Sequence, residues 1–330
     1  MSTDKQSRDE IRARIKPTLD KVAVKGLRAW LKAIGLSSSA YTRPTITNLV
    51  ADEIAEKRLA EDALERALIG FEEASDMRIY LYKLDELPKV DTRKWLPNRL
   101  LNTGFALTKI RTFAGEKTKP MSPVYAELEG ELLRVKWAEE HESLKIDDKT
   151  GAVVKEPVPR RIVLIADLAS KTAELRMNPP ETRHAYEDAS GRTPSELYYQ
   201  AYLDKVSDLL ECTLLPIEWR PVVRQLVEEE EPRVVRIHID NHTNQSNTKA
   251  KTHSSRADVR DDPDWKLAYK KNGESWAWDA QSFYWLPKVS NGFLTRELYS
   301  HIDAETGYVK VNADCSDEEV NYVVSQIRAR

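Results

Sequence analysis

Residues 233–241 read RVVRIHIDN, and this stretch decides the fold class of the chain. Apolar side chains alternate with polar ones, Val235, Ile237 and Ile239 against Arg236, His238 and Asp240. A period of two residues is typical of a β-strand with one buried face, because successive side chains of a strand point to opposite faces. The sequence therefore predicts a strand here.

The first 88 residues instead show the spacing of helices, and they predict a small helical domain. An apolar stripe predicts a first helix that ends at Gly35, and its members are Leu19, Val22, Leu27, Trp30, Leu31 and Ile34. Three further helices are predicted at about Thr45–Ile54, Leu59–Phe71 and Met77–Leu84. Pro88 closes this domain.

Residues 121–330 predict a larger domain that mixes strands and helices. Besides the stretch quoted above, strands are expected at Val124–Trp137, Ile162–Ile165, Leu175–Met177, Ser275–Trp278, Ser282–Leu286 and Tyr308–Asn312. Helices are expected at Ser195–Leu215, at Trp219–Val227 and after Ser316, where Glu319 completes a capping box. Polar residues 241–264 predict a long loop. The chain is therefore expected to be α+β, with a mainly antiparallel sheet flanked by helices.

Charge is distributed unevenly along the chain. The net charge is −3, yet residues 1–43 carry ten Lys or Arg against four Asp or Glu. The chain after residue 43 is therefore net acidic, and a polyanion would bind near the N-terminus. Residues 89–120, predicted to be a basic connector, add further Lys and Arg with Trp95, Phe105 and Phe113 between them.

Cysteine content and hydropathy restrict the setting in which the protein works. Cys212 and Cys315 are too few for a disulfide framework or a Cys-rich zinc site, which is typical of a reducing compartment. The N-terminus shows no signal peptide, and no run of about 18 apolar residues predicts a membrane span. We expect a cytoplasmic or nuclear protein that has no membrane partner.

Residues 19–54 resemble the SAP motif, a two-helix DNA-binding module. The similarity lies in the amphipathic first helix that ends in Leu31-Lys32 and Gly35-Leu36, the short polar loop, and the second helix with Leu49. The family has Gly-Lys-Lys in the loop, where this chain has Ala40-Tyr41-Thr42-Arg43-Pro44. The resemblance implies that the helical pair binds DNA.

Basic side chains in the helical pair and the connector predict contacts with the phosphates of DNA or RNA. The expected contact residues are Lys25, Arg28, Lys32, Arg43, Arg93, Lys94, Arg99, Lys109 and Arg111. The same pattern also fits a death-fold-like scaffold that binds a protein partner or forms homo-oligomers. A solvated helix face and a linker with core aromatic residues would look similar.

Two patterns raise the possibility of metal chemistry. His238, Asp240 and His242 are spaced so that a strand would place all three on one face, as in a two-His-one-carboxylate site, and acids at 258, 261, 262 and 264 follow. Asp167 with Glu174 and Arg176 is similar to restriction-type nuclease sites, which bind Mg²⁺. These patterns favour a metal-dependent hydrolase or nuclease as an alternative.

Phosphate-binding glycine loops, nucleophile elbows and zinc-protease motifs are absent from the sequence. The main expectation is therefore a non-enzymatic nucleic-acid-binding protein without a cofactor, whose C-terminal domain binds a partner or itself.

Overall fold

A computed structural model describes most of the chain. The described residues are 8–20, 22, 24–36, 42–74, 77–89, 91–105, 107–108, 111–112, 122–146, 152–178, 194–228, 234–243, 247–252, 257–311 and 315–330. Residues 147–151, for which the sequence predicts a turn, and most of residues 181–194, for which it predicts a surface loop, lie outside these ranges.

The described residues form helices and antiparallel strands, which confirms the α+β class. The helices are α1 (Arg8–Leu19), α2 (Val24–Ala33), α3 (Arg43–Ala55), α4 (Glu61–Ala74), α5 (Thr92–Asn102), α6 (Pro194–Leu210), α7 (Trp219–Glu228), α8 (Pro263–Asn272) and α9 (Asp317–Arg328). The strands are β1 (Arg78–Asp85), β2 (Ser122–Glu129), β3 (Leu132–Ile146), β4 (Val153–Asp167), β5 (Thr172–Met177), β6 (Thr213–Pro216), β7 (Val234–His242), β8 (Asn247–Lys251), β9 (Ala277–Trp285), β10 (Leu298–Asp303) and β11 (Tyr308–Val311).

The chain divides into two compact units, and the first is discontinuous in sequence. One unit consists of residues 1–76 together with 218–330, and the other consists of residues 77–217. This division differs from the predicted succession of a helical domain at 1–88, a connector at 89–120 and a third region at 121–330. The reason is that the N-terminal helices pack with the C-terminal part of the chain, as α4 does with α9.

The unit of residues 77–217 contains a sheet in the order β2-β3-β4-β5-β1, and β6 pairs with the last residues of β1. The predicted strands at Ile162–Ile165 and Leu175–Met177 are confirmed as neighbours, since Leu164 pairs with Leu175. The prediction of a helix at Met77–Leu84 is wrong, because these residues form β1. Both faces of β1 are buried, so its apolar residues do not alternate with polar ones and resemble a helical stripe.

The predicted connector is partly a helix of the same unit. Leu96 and Leu100 lie one turn apart on α5 and are both buried. Phe105 then packs edge-to-face on Trp137 of β3, with the ring centroids 5.2 Å apart. The aromatic residues Phe105 and Trp137 therefore belong to a core.

The N-terminal helices lie in the unit of residues 1–76 and 218–330. The single predicted stripe from Leu19 to Ile34 is divided between two helices, because α1 ends at Leu19 and α2 starts at Val24. Gly26 of α2 lies against the ring of Phe71 of α4, and a Cβ at this position would be 3.2 Å from two ring carbons. This glycine allows α2 to approach α4 closely.

The strands of this unit follow one another in the order β11-β10-β9-β7-β8, and we call these five strands the second sheet. Residues 241–264 were expected to be a loop, but they contain β8 and the start of α8. The two strands expected at Ser275–Trp278 and Ser282–Leu286 are one strand, β9, which passes through a bulge at Asp279 without ending. The sequence also predicts a hairpin at Asp303–Gly307, and the structure confirms it together with the capping box of Ser316 with Glu319.

A second bulge changes the faces of β7. Arg236 pairs with Phe283 and His238 pairs with Ser282, so Ile237 is an extra residue. The predicted strict alternation is therefore wrong before the bulge. Val235, which pairs with Tyr284, lies on the face opposite to Ile239, and Arg236 lies on the face opposite to His238. The side chain of Arg236 is 0% exposed.

Candidate functional site

The basic residues expected in the SAP-like pair are largely engaged within the protein. The Arg43 guanidinium donates to the backbone oxygens of Leu19 (2.5 Å) and Val22 (2.9 Å). Lys32 donates from Nζ to the backbone oxygen of Thr295 at 2.8 Å. Arg28 is exposed, whereas the Lys25 side chain and residues 37–41 of the loop lie outside the described structure. Arg43 thus joins α3 to the end of α1.

The basic residues expected in the connector lie in the other unit, and several of them also have internal partners. Arg99 donates to the backbone oxygen of Asp208 at 2.6 Å, and Arg111 pairs with Glu127 at 2.7 Å. Lys94 lies 3.7 Å from Asp91. The Arg93 side chain and Lys109 are outside the described structure. The nine predicted phosphate contacts are therefore divided between the two units.

The three metal-ligand candidates on β7 share a face but do not converge. An extended strand separates residues i and i+4 by about 13 Å, whereas bonds to a transition metal are about 2 Å long. Asp240 instead pairs with Lys249 at 2.7 Å, and His242 contacts Asp279. Among the described residues, no group of three His, Cys, Asp or Glu side chains is arranged to hold a metal ion.

The downstream acids and the nuclease-like residues also stabilise local structure. Asp258 pairs with Arg236 and Arg260, and Asp262 caps α8. The carboxylate of Asp167 accepts the backbone N–H groups of the turn after β4. Glu174 and Arg176 form a buried ion pair at 2.5 Å.

The second sheet has two chemically different faces. One face is buried beneath α7 and α9, since Arg236 bonds to α7 and Tyr322 of α9 packs on Trp285. The opposite face, which we call the polar face, is partly exposed over most of its area. Around Ser282, its polar and aromatic members are Lys249, Lys251, His238, Asp240, Tyr284, Tyr299, His301, Asp303, Tyr308 and Lys310, and His242 lies on the same side at the end of β7.

A line of five directly paired residues crosses the polar face, and we call it the polar row. It runs over the five strands in the order Lys251, His238, Ser282, His301, Lys310. Directly paired residues of antiparallel strands project from the same face. The pairing therefore places two imidazoles on either side of one serine, with a lysine beyond each imidazole.

Ser282 lies beneath its neighbours and joins them by hydrogen bonds. Only 4% of Ser282 is exposed. Its Oγ is 2.8 Å from Nδ1 of His301, and the Tyr299 hydroxyl donates to the same Oγ at 3.2 Å. These bonds fix the His301 ring and leave Nε2 as the ring nitrogen available to a ligand.

Both imidazoles of the polar row have a lowered pKa. Burial is the main cause for His238, with Lys249 and Lys251 acting in the same direction and Asp240 opposing them. Burial also lowers the pKa of His301, supported by His238 and Lys310 and opposed by Asp303. Both side chains are therefore mostly neutral at pH 7, and an anion on the polar face would favour their protonation.

Aromatic rings flank the polar row on one side. Tyr284 and Tyr299 are directly paired, and their ring centroids are 5.6 Å apart with the planes at 64°. Of the other aromatic residues near Tyr284, Trp278, Phe283 and Trp285 are buried, as expected for core residues. The polar face therefore combines two accessible tyrosine rings with hydrogen-bonding and cationic groups.

Among the residues of this surface, the sequence singles out His238 and Asp240 as metal-ligand candidates. Ser282, His301 and Tyr299 were missed because their proximity to His238 depends on strand pairing over long separations. A local signal did exist in residues 298–303, LYSHID, where polar and aromatic side chains alternate with apolar ones. Without the strand order, that pattern predicts only a half-buried strand.

Comparison of the sequence with protein families and with curated proteins finds no relative for this chain. No protein-family model matches the sequence. A search of curated proteins finds no significant match. Within the ranges that the structure describes, no helix is both long and apolar enough to cross a membrane.

Proposed function

We propose that the protein binds single-stranded nucleic acid on the polar face of the second sheet. The observation that carries this proposal is the cross-strand arrangement of Tyr284 and Tyr299 beside the polar row. The proposal retains the nucleic-acid partner expected from the sequence. It differs in the contact surface, because the helical pair and the connector use much of their positive charge internally.

The aromatic part of the surface suits unpaired bases. Every base has a flat face that can stack on a tyrosine ring, and such stacking is worth about 1–3 kcal/mol per base. In a duplex the bases already stack on each other, so no base face is exposed to the tyrosine rings. Tyr284 and Tyr299 therefore favour a single strand over a duplex.

The charged part of the surface suits a phosphate backbone. Lys249, Lys251 and Lys310 lie on the polar face, and Asp240 and Asp303 lie beside them. With neutral imidazoles, these five groups have a small positive net charge. Protonation of His238 and His301 would raise the net charge by two. A positively charged surface supports binding of a polyanion rather than of an uncharged, apolar partner.

Binding can be tested by fluorescence anisotropy with labelled 12-nucleotide single strands and a duplex of the same sequence. We expect the intact chain to prefer the single strand and to lose affinity as salt rises. Tyr284→Leu should weaken binding about tenfold, because one stacking platform is removed. Lys251→Gln should reduce the salt dependence.

Lys94→Gln is the matched control. Lys94 lies outside the polar face, and the substitution removes the same charge as Lys251→Gln. Equal losses in Lys94→Gln and Lys251→Gln would contradict a localised interface. Absence of binding at low salt would overturn the proposal, and so would duplex binding that Tyr284→Leu leaves unchanged.

A further inference from the structure

We infer that His238 and His301 form an acid–base pair that cleaves single-stranded RNA. This inference rests on the proposed binding of nucleic acid to the polar face. It extends the proposal from binding to catalysis and names RNA as the substrate class, because the chemistry requires a 2′-hydroxyl group.

The positions of the two imidazoles carry the inference. His238 on β7 and His301 on β10 are both directly paired with Ser282 of β9, one on each side. Strands in a sheet lie about 4.8 Å apart, so the two Cα atoms are separated by about 10 Å. That spacing leaves room for one phosphodiester group between the rings, within hydrogen-bond reach of each side chain.

His301 is held in a defined orientation, which an acid–base catalyst needs. Its Nδ1 is bonded to Ser282 Oγ, and this oxygen accepts a second hydrogen bond from Tyr299. A hydroxyl can donate to Nδ1 or accept from it, so Ser282 suits both protonation states of the ring. Ser282 and Tyr299 are thus positioning residues, while Nε2 exchanges the proton with RNA.

The reaction is a transphosphorylation. The neutral imidazole accepts the proton of the 2′-hydroxyl, and the 2′-oxygen forms a bond to the adjacent phosphorus. The bond between phosphorus and the 5′-oxygen of the next nucleotide breaks, and the other imidazole, protonated, donates its proton to this leaving oxygen. The products are a 2′,3′-cyclic phosphate and a 5′-hydroxyl end, and no co-reactant is consumed.

The lysines at the ends of the polar row supply positive charge. Lys251 is paired with His238, and Lys310 is paired with His301. Cations near the phosphate stabilise the negative charge that develops on its oxygens during the attack. The polar row therefore contains a proton acceptor, a proton donor and two cations in one line.

The rate should depend on pH in a bell-shaped manner, since one imidazole must be neutral and the other protonated. The groups facing them are Asp240, Asp303, Lys249, Lys251, Lys310, Tyr299 and Ser282. Burial and the lysines lower both pKa values below 6.5, so we expect the maximum on the acidic side of neutrality.

The experiment uses the full chain with a 5′-labelled 12-nucleotide RNA and the DNA of the same sequence, with a chelator present, from pH 4.5 to pH 8. We expect the RNA to be cut to a cyclic-phosphate end and the DNA to be bound but left intact. His238→Gln and His301→Gln should each slow cleavage by about 100-fold or more. Their affinity for the DNA at pH 7.5 should change much less.

His242→Gln is the matched control, because His242 lies on the same strand outside the polar row and contacts Asp279. It should cleave RNA at the normal rate, and loss of cleavage in His238→Gln and His301→Gln prepared in the same way excludes a contaminating nuclease as the source. If RNA is bound but uncut at every pH, the acid–base inference fails and the binding proposal stands. Cleavage that survives in either histidine variant also overturns the inference. If the unsubstituted chain binds neither the RNA nor the DNA, both proposals are overturned.

Discussion

Arg236 holds the last turn of α7 through the backbone oxygen of Leu226. Its Nε and Nη2 donate to this oxygen at 2.8 Å and 2.5 Å, and its Nη1 lies 3.2 Å from Asp258. Because Arg236 is wholly buried, these partners have little access to water if the guanidinium is removed. A bulge in β7 is what turns this charged side chain into the core.

Replacing Arg236 by Met should destabilise the protein by about 1–3 kcal/mol, since it leaves the buried Leu226 carbonyl without its two donors and removes one of the two cationic partners of Asp258. Urea unfolding would measure the loss. Arg224→Met is the control, because the Arg224–Glu228 ion pair is exposed and should contribute under about 1 kcal/mol. Equal effects of the two substitutions would contradict the role assigned to Arg236.

The pair His238 and His301 should make the protein less stable in mild acid. A folded-state pKa below the unfolded value of 6.5 means that the unfolded chain binds more protons. The free energy of unfolding therefore falls as pH decreases from about 6.5 through the lowered folded values. Thermal melts of the double variant His238→Gln/His301→Gln should show a smaller loss of stability between pH 7 and pH 5 than the unsubstituted chain, and an equal loss would contradict the role assigned to the two imidazoles.

Gln281 should be a site where a substitution stabilises the protein. It is 0% exposed between Ile239 and Ile302, and neither amide atom has a hydrogen-bond partner in the protein. Removing a buried unsatisfied amide is expected to gain about 1–3 kcal/mol, so Gln281→Met should raise the melting temperature. Gln200→Met on the exposed side of α6 is the control, and a lower melting temperature for Gln281→Met would indicate that a water molecule bonds the amide.

Gly26→Ala should destabilise the protein although alanine favours helices. The new methyl would lie 3.2 Å from the buried ring of Phe71, and overpacking of this kind typically costs about 1–3 kcal/mol. The helix propensity of alanine offsets about 1 kcal/mol of that cost. In a Phe71→Leu background the contact is relieved, so there the same substitution should be neutral or stabilising, and an unchanged loss would refute the steric explanation.

The sequence correctly predicts those helices and strands that are indicated by residues within a single short segment of the chain. The period of two residues locates β7 correctly, and Ser316 with Glu319 marks the start of α9. It fails at β1 because both faces of that strand are buried, and at Arg236 because a bulge depends on the partner strand. The surface around Ser282 was beyond prediction for the same reason, since it exists only when β7, β9 and β10 are adjacent.

The discontinuous unit has a consequence for synthesis on the ribosome. Helices α1 to α4 emerge well before α9, although α9 packs against α4. At usual elongation rates the interval is on the order of tens of seconds. During this interval, the apolar side of α4 that α9 later covers is accessible to chaperones and to other nascent chains. Residues 77–217 can already fold at this stage.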